Sequence, residues 1–84
     1  MPYIKDKDRK KFDESLSMIP EFSTKGELEY VVYSIMKQYM STREYRYSAL
    51  HACVYAVQHC ADEFRRRFLD KRENEAREAN GDIN

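Results

Sequence analysis

Leu50, Cys53, Val54, Val57, Ala61, Phe64 and Phe68 recur three or four residues apart along the last third of the chain, the stripe of an amphipathic helix. No proline follows Pro20 and no glycine stands between Gly26 and Gly81, so the pattern predicts one helix over 48–79. Such a helix spans roughly 45–50 Å. A compact domain of this length has a radius of gyration of about 12 Å. The helix therefore projects beyond its own core, bends, or packs against a second copy.

Two shorter stripes precede it. Phe12, Leu16 and Ile19 fall at i, i+4 and i+7, a narrow apolar edge that predicts a helix over about 6–18, with Asp6 as its cap and Pro20 as its stop. Thr24-Lys25-Gly26-Glu27 fits the capping box, in which the threonine oxygen covers a backbone N–H and the glutamate reaches back. Behind it, Leu28, Val31, Val32, Ile35, Met36 and Tyr39 form a wide stripe that predicts a helix over 25–40. The β-branched residues suit a strand, but continuous 3.6-residue spacing and a cap decide for helix. The expected fold is all-α: three helices in one domain over 1–84, packed as a homodimeric helical bundle.

After Phe68 and Leu69 the apolar stripe stops. Residues 70–84 are a charged tail, expected to fray unless a partner covers it. Opposite charges at helical spacing, such as Glu63 with Arg67 and Glu73 with Arg77, add a few tenths of a kcal/mol each to a solvated helix. Asn80-Gly81-Asp82 reads as the stop, with Gly81 free to take positive φ.

Composition narrows the functions. An 84-residue chain holds one domain with a marginal core, which favours self-association. Lys plus Arg is 15 and Asp plus Glu is 15, a net charge of zero. Affinity for nucleic acid comes largely from neutralised phosphates, so this balance argues against general nucleic-acid binding. No run of 18 apolar residues suits a membrane span. Cys53 and Cys60 lie seven residues apart on one predicted helix, roughly 10 Å, too far for a disulfide between them. They read as small core hydrophobes in a reducing cytoplasm.

Candidate chemistry is sparse. His51 and His59 flank the apolar stripe, and His59 lies one turn before Glu63. A zinc site needs three or four ligands in fixed geometry, and these do not assemble one, so no metal or cofactor is expected. Glu27 and Glu29 are two apart and point away from each other. With Asp62 and Glu63 they make a poor match to the paired Glu-x-x-Glu of helical nucleotide pyrophosphohydrolases, which leaves a metal-dependent nucleotide hydrolase a minor alternative. Arg65-Arg66-Arg67 is the sharpest charge cluster. Arg66 and Arg67 suit a carboxylate, a phosphate or an acidic partner, and Tyr33, Tyr39, Tyr45, Tyr47 or Tyr55 could stack on a base beside them.

Several short motifs carry a resemblance. Met1-Pro2-Tyr3-Ile4, Arg9 and Phe12-Asp13 open the chain; Gly26-Glu27-Leu28-Glu29-Tyr30 follows; then Tyr47 with Leu50, Glu63-Phe64 with Arg66-Arg67, and Asn80-Gly81-Asp82-Ile83. In this order the chain resembles a small uncharacterised helical protein family of bacteria and their phages. Glu29 stands where that family has Asn, His51 where it has Asn, and Arg65 where it has Tyr. Family members tend to have Ala-Pro where Asp70-Lys71 stand here, so the resemblance implies a straighter last helix. It implies a helical protein of phage or prophage origin and carries no catalytic residues.

Two functions follow as expectations. The first is a non-enzymatic helical interaction protein, a homodimer that binds a host or phage protein. The second is a binder of a nucleotide or other anionic small molecule. The residues expected to touch a ligand or partner are Arg66, Arg67, Tyr30, Tyr47 and Glu63.

Overall fold

The computed structural model describes residues 2–81 and 83. It contains α1 (Asp6–Ser17), α2 (Lys25–Ser41), α3 (Tyr47–Phe64), a π-helical segment (Arg65–Leu69) and α4 (Asp70–Asn80). The last three are continuous: Phe64, Arg65, Leu69 and Asp70 all keep right-handed helical angles. One helix thus runs from 47 to 80. Its single irregularity is a wide turn in which the Asp70 N–H donates to the Arg65 carbonyl five residues back. The longest dimension of the molecule is 51 Å, matching about 50 Å for that many helical residues.

The helix starts differ in quality. At α2 the Thr24 hydroxyl accepts from the Glu27 N–H at 3.2 Å. The Glu27 carboxylate in turn accepts from the Ser23 N–H at 2.6 Å, one residue earlier than in the usual box. At α1 the expected Asp6 cap is not made: Lys5 occupies the cap position without a side-chain bond, and Asp6 is already inside the helix. There it pairs with Lys10 one turn on, at 3.4 Å. An acid in the first turn still complements the helix dipole. At the far end Gly81 takes φ 86°, the conformation that stops the helix.

Among the described residues, packing between separate helices is confined to one seam. The five residues 42–46 fold α2 back on α3, the geometry of an αα-hairpin, and Met40, Leu50, Met36 and Val57 are half-buried there. Cys53 sits in the middle, 6% exposed, and its thiol faces the Met36 carbonyl at 3.8 Å. Among the described residues it alone is buried. Cys60, read from sequence as a second core hydrophobe, is exposed instead. Seven residues turn a helix by about 700°, so Cys60 lies roughly 20° round from Cys53 but about 10 Å further along α3, where it borders a depression with Pro2, Tyr3, Phe64 and Phe68 and not the seam.

The backbone of α1 approaches no other helix among the described residues. Its apolar edge, Phe12 and Leu16, is open to solvent. The three stripes expected to make a bundle therefore do not close one within a single chain. The radius of gyration is 16.7 Å, against about 12 Å for a compact chain of this length.

Candidate functional site

Glu63 ends the regular part of α3 and is the residue on which the charged groups of the π turn converge. Four residues of helix place Arg67 above it, and three place Arg66 beside it. Arg66 donates to Glu63 Oε1. The N-terminal segment supplies the remaining member: the Tyr3 hydroxyl donates to the same Glu63 oxygen at 2.8 Å and accepts from Arg67 Nη1 at 2.8 Å. The result is a chain of hydrogen bonds, Arg67 to Tyr3 to Glu63, with Arg66 closing on the carboxylate. It ties residues 60 positions apart and fixes the segment preceding α1 to the long helix.

The Arg66 guanidinium, and after it the Tyr3 hydroxyl, hold the Glu63 carboxyl below its usual value of 4.5, against a smaller opposing effect of burial. Glu63 in turn raises Arg66. Arg65 points elsewhere and pairs with Asp62 at 3.3 Å, because consecutive helical residues fan around the axis. Pro2, Tyr3, Cys60, Phe64, Arg67 and Phe68 line a shallow depression of about 310 Å³ beside the cluster. Phe64 and Phe68 stack there one turn apart, ring centroids 4.7 Å.

Of the five expected contact residues, the structure brings together Glu63, Arg66 and Arg67. Tyr30 is elsewhere, 72% exposed beside Ile19, Pro20, Phe22 and Val31. Tyr47 opens α3, 80% exposed, and lies about 24 Å along the helix from Glu63. It begins a ladder of rings at every fourth position: Tyr47–His51 5.6 Å, His51–Tyr55 4.1 Å, Tyr55–His59 6.0 Å. Of the tyrosines considered for the arginine cluster, Tyr39 instead stacks under Arg43 at 3.5 Å, Tyr33 lies under Lys37 at 5.9 Å, and Tyr47 and Tyr55 belong to this ladder. Tyr45, 83% exposed, borders the seam of the hairpin. The ring that meets Arg67 is Tyr3, 5.8 Å away. Spacing cannot show a contact across 60 positions, and the only signal near Tyr3 is that Pro2-Tyr3-Ile4 is apolar.

The acids considered for a metal cage are dispersed. Glu27 caps α2, Glu29 pairs with Lys25 at 3.7 Å, and Asp62 and Glu63 hold arginines. Among the described residues no group of three or more His, Cys, Asp or Glu side chains could hold a metal ion, and no helix is long and apolar enough to cross a membrane.

The second feature is a groove of about 510 Å³ between α2 and α3, lined chiefly by Tyr33, Met36, Met40, Leu50, Cys53 and Val54. It is apolar except for Lys37 and Ser41 at the rim, and its floor is the seam around Cys53. Unbranched methionines let such a surface adapt to an incoming side chain.

A family model described as Domain of unknown function (DUF6899) matches residues 1–83. No curated protein and no solved structure matches the chain.

Proposed function

The chain belongs to this family of domains of unknown function, and from that premise we propose that it is a small non-enzymatic helical interaction protein. It works as a homodimer and binds a second protein, in the phage or prophage setting that the sequence resemblance implies. One observation carries this reading: a chain with three apolar stripes buries a single described residue, Cys53. Its accessible surface is 7974 Å², whereas a compact monomer of 10.1 kDa exposes about 5,300 Å². The excess is roughly 2,700 Å² per chain, about 5,400 Å² for a pair, enough to supply an obligate homodimer interface.

The arginine cluster gives less support to the anion-binding alternative. Arg66 and Arg67 already donate to Glu63 and Tyr3, so a phosphate would have to displace a carboxylate that the protein itself supplies. Native mass spectrometry separates the two readings. A species at twice 10.1 kDa without added mass is the expected result. A dimer carrying a small-molecule increment that Arg66→Ala abolishes would favour the anion binder. A monomer at every concentration would overturn self-association and the interaction reading with it.

A further inference from the structure

Two unpartnered apolar features of the chain are a helix edge and a groove. On α1, Phe12 and Leu16 lie one turn apart and both are half exposed or more. No other helix approaches them. Between α2 and α3, the groove floored by Met36, Cys53, Leu50 and Val54 is open along its length. Amphipathic helices lay such an edge into such a groove with anchors at i and i+4.

The chain's own α1 is held away from its own groove. Met36 meets Cys53 across the seam, so 11 residues from each contact, Lys25 and Phe64 lie at about the same height, roughly 16 Å from the groove. Both ends of the α1 arm are fastened at that height. Its N-terminal side is tied through Tyr3 to Glu63 and Arg67, and its C-terminal side runs into Lys25, the first residue of α2. A helix of 12 residues that leaves and returns at one end of the hairpin does not lie along the other end.

Two copies arranged antiparallel remove this mismatch. Each hairpin's turn end, where the groove is, then lies beside the arm end of its neighbour. We propose that the α2–α3 groove of each protomer receives α1 of a second copy, Phe12 and Leu16 entering between Met36, Met40, Leu50 and Val54. The exchange is reciprocal about a two-fold axis and closes at two chains, as an isologous interface must. It covers both unpartnered features at once and removes part of the excess surface of the single chain. It rests on the reading of the chain as self-associating, and it names the surface that carries the association.

The test is complementation between two full-length variants, read by native mass spectrometry with one of them isotope-labelled. Phe12→Asp with Leu16→Asp spoils the arm, whose backbone approaches no other helix among the described residues, and is expected to leave the hairpin folded. Met40→Asp spoils the groove, and circular dichroism checks that the helix content survives. The expected result is a dimeric wild type, two monomeric variants, and a heterodimer when they are mixed, because one good arm meets one good groove. A wild type that dimerises while the arm variant also dimerises overturns the exchange and leaves self-association standing through another face. Two monomeric variants that fail to complement overturn it as well, since α1 then acts within its own chain. A monomeric wild type overturns both.

Discussion

Glu63 shows how one residue gathers meaning from distant partners. In sequence it is one acid in a charged run; in the fold it accepts from Tyr3 and Arg66 and lies within reach of Arg67. Its lowered pKa sets a pH dependence with a definite sign. A carboxyl that ionises more easily when folded contributes stability above its ordinary value and loses it as pH falls below 4.5 through the lowered value. The Tyr3 tether is therefore expected to loosen in that acid range, visible as faster amide exchange in residues 3–5. Glu63→Gln should remove the transition, which separates it from general acid unfolding. Tyr3→Phe removes one exposed hydrogen-bonding hydroxyl and is expected to cost at most about 1 kcal/mol in urea unfolding. The two cysteines give a second check at this scale. In the native protein a thiol reagent should label Cys60 quickly and Cys53 only upon unfolding, since the first is exposed and the second buried.

The helices themselves were legible from the stripe and the caps. The expected 6–18, 25–40 and 48–79 became 6–17, 25–41 and 47–80 with its π turn, because periodicity, Pro20, Thr24 and Gly81 act locally. Thr24→Ala should lower stability by about 1 kcal/mol in thermal or urea unfolding, the usual cost of a lost N-cap. Two things were not legible. The π turn has no signature in Arg65-Arg66-Arg67-Phe68-Leu69: the residues suit an ordinary helix, and only the hydrogen-bond register reveals the widening. The separation of α1 was hidden too, since Phe12, Leu16 and Ile19 look the same whether their edge meets this chain or another. For the site, the Glu63–Arg66–Arg67 part followed from helical spacing. Tyr3 did not, and Tyr30 and Tyr47 went to other faces because a tyrosine's partners depend on tertiary position. Among the described residues α4 adjoins only the π segment, so truncation after Leu69 should leave the proposed self-association unchanged.

The whole molecule is a hairpin with an arm and a projecting helix. Its core is small, so the proposed association should supply a large share of its stability. Mass action then makes stability depend on protein concentration. A tenfold rise in concentration should raise the thermal midpoint measurably, by a few degrees for a domain this small, whereas a monomeric fold would show no change. The arm variant Phe12→Asp with Leu16→Asp should lose this dependence.

Because a π turn accommodates about one residue more than an α turn, it acts on everything beyond it as a rotation of about 100° around the helix axis. The arginine-rich turn at 65–69 therefore sets the azimuth at which α4 leaves the hairpin, independently of what α4 contains. In the proposed two-fold dimer the two tails would share that azimuth, related to each other by a half-turn about the axis of assembly. Deleting one residue from 65–69 should rewind both at once. The distance between spin labels on the paired tails would then change, while the hairpins and their mutual contact stay as they were.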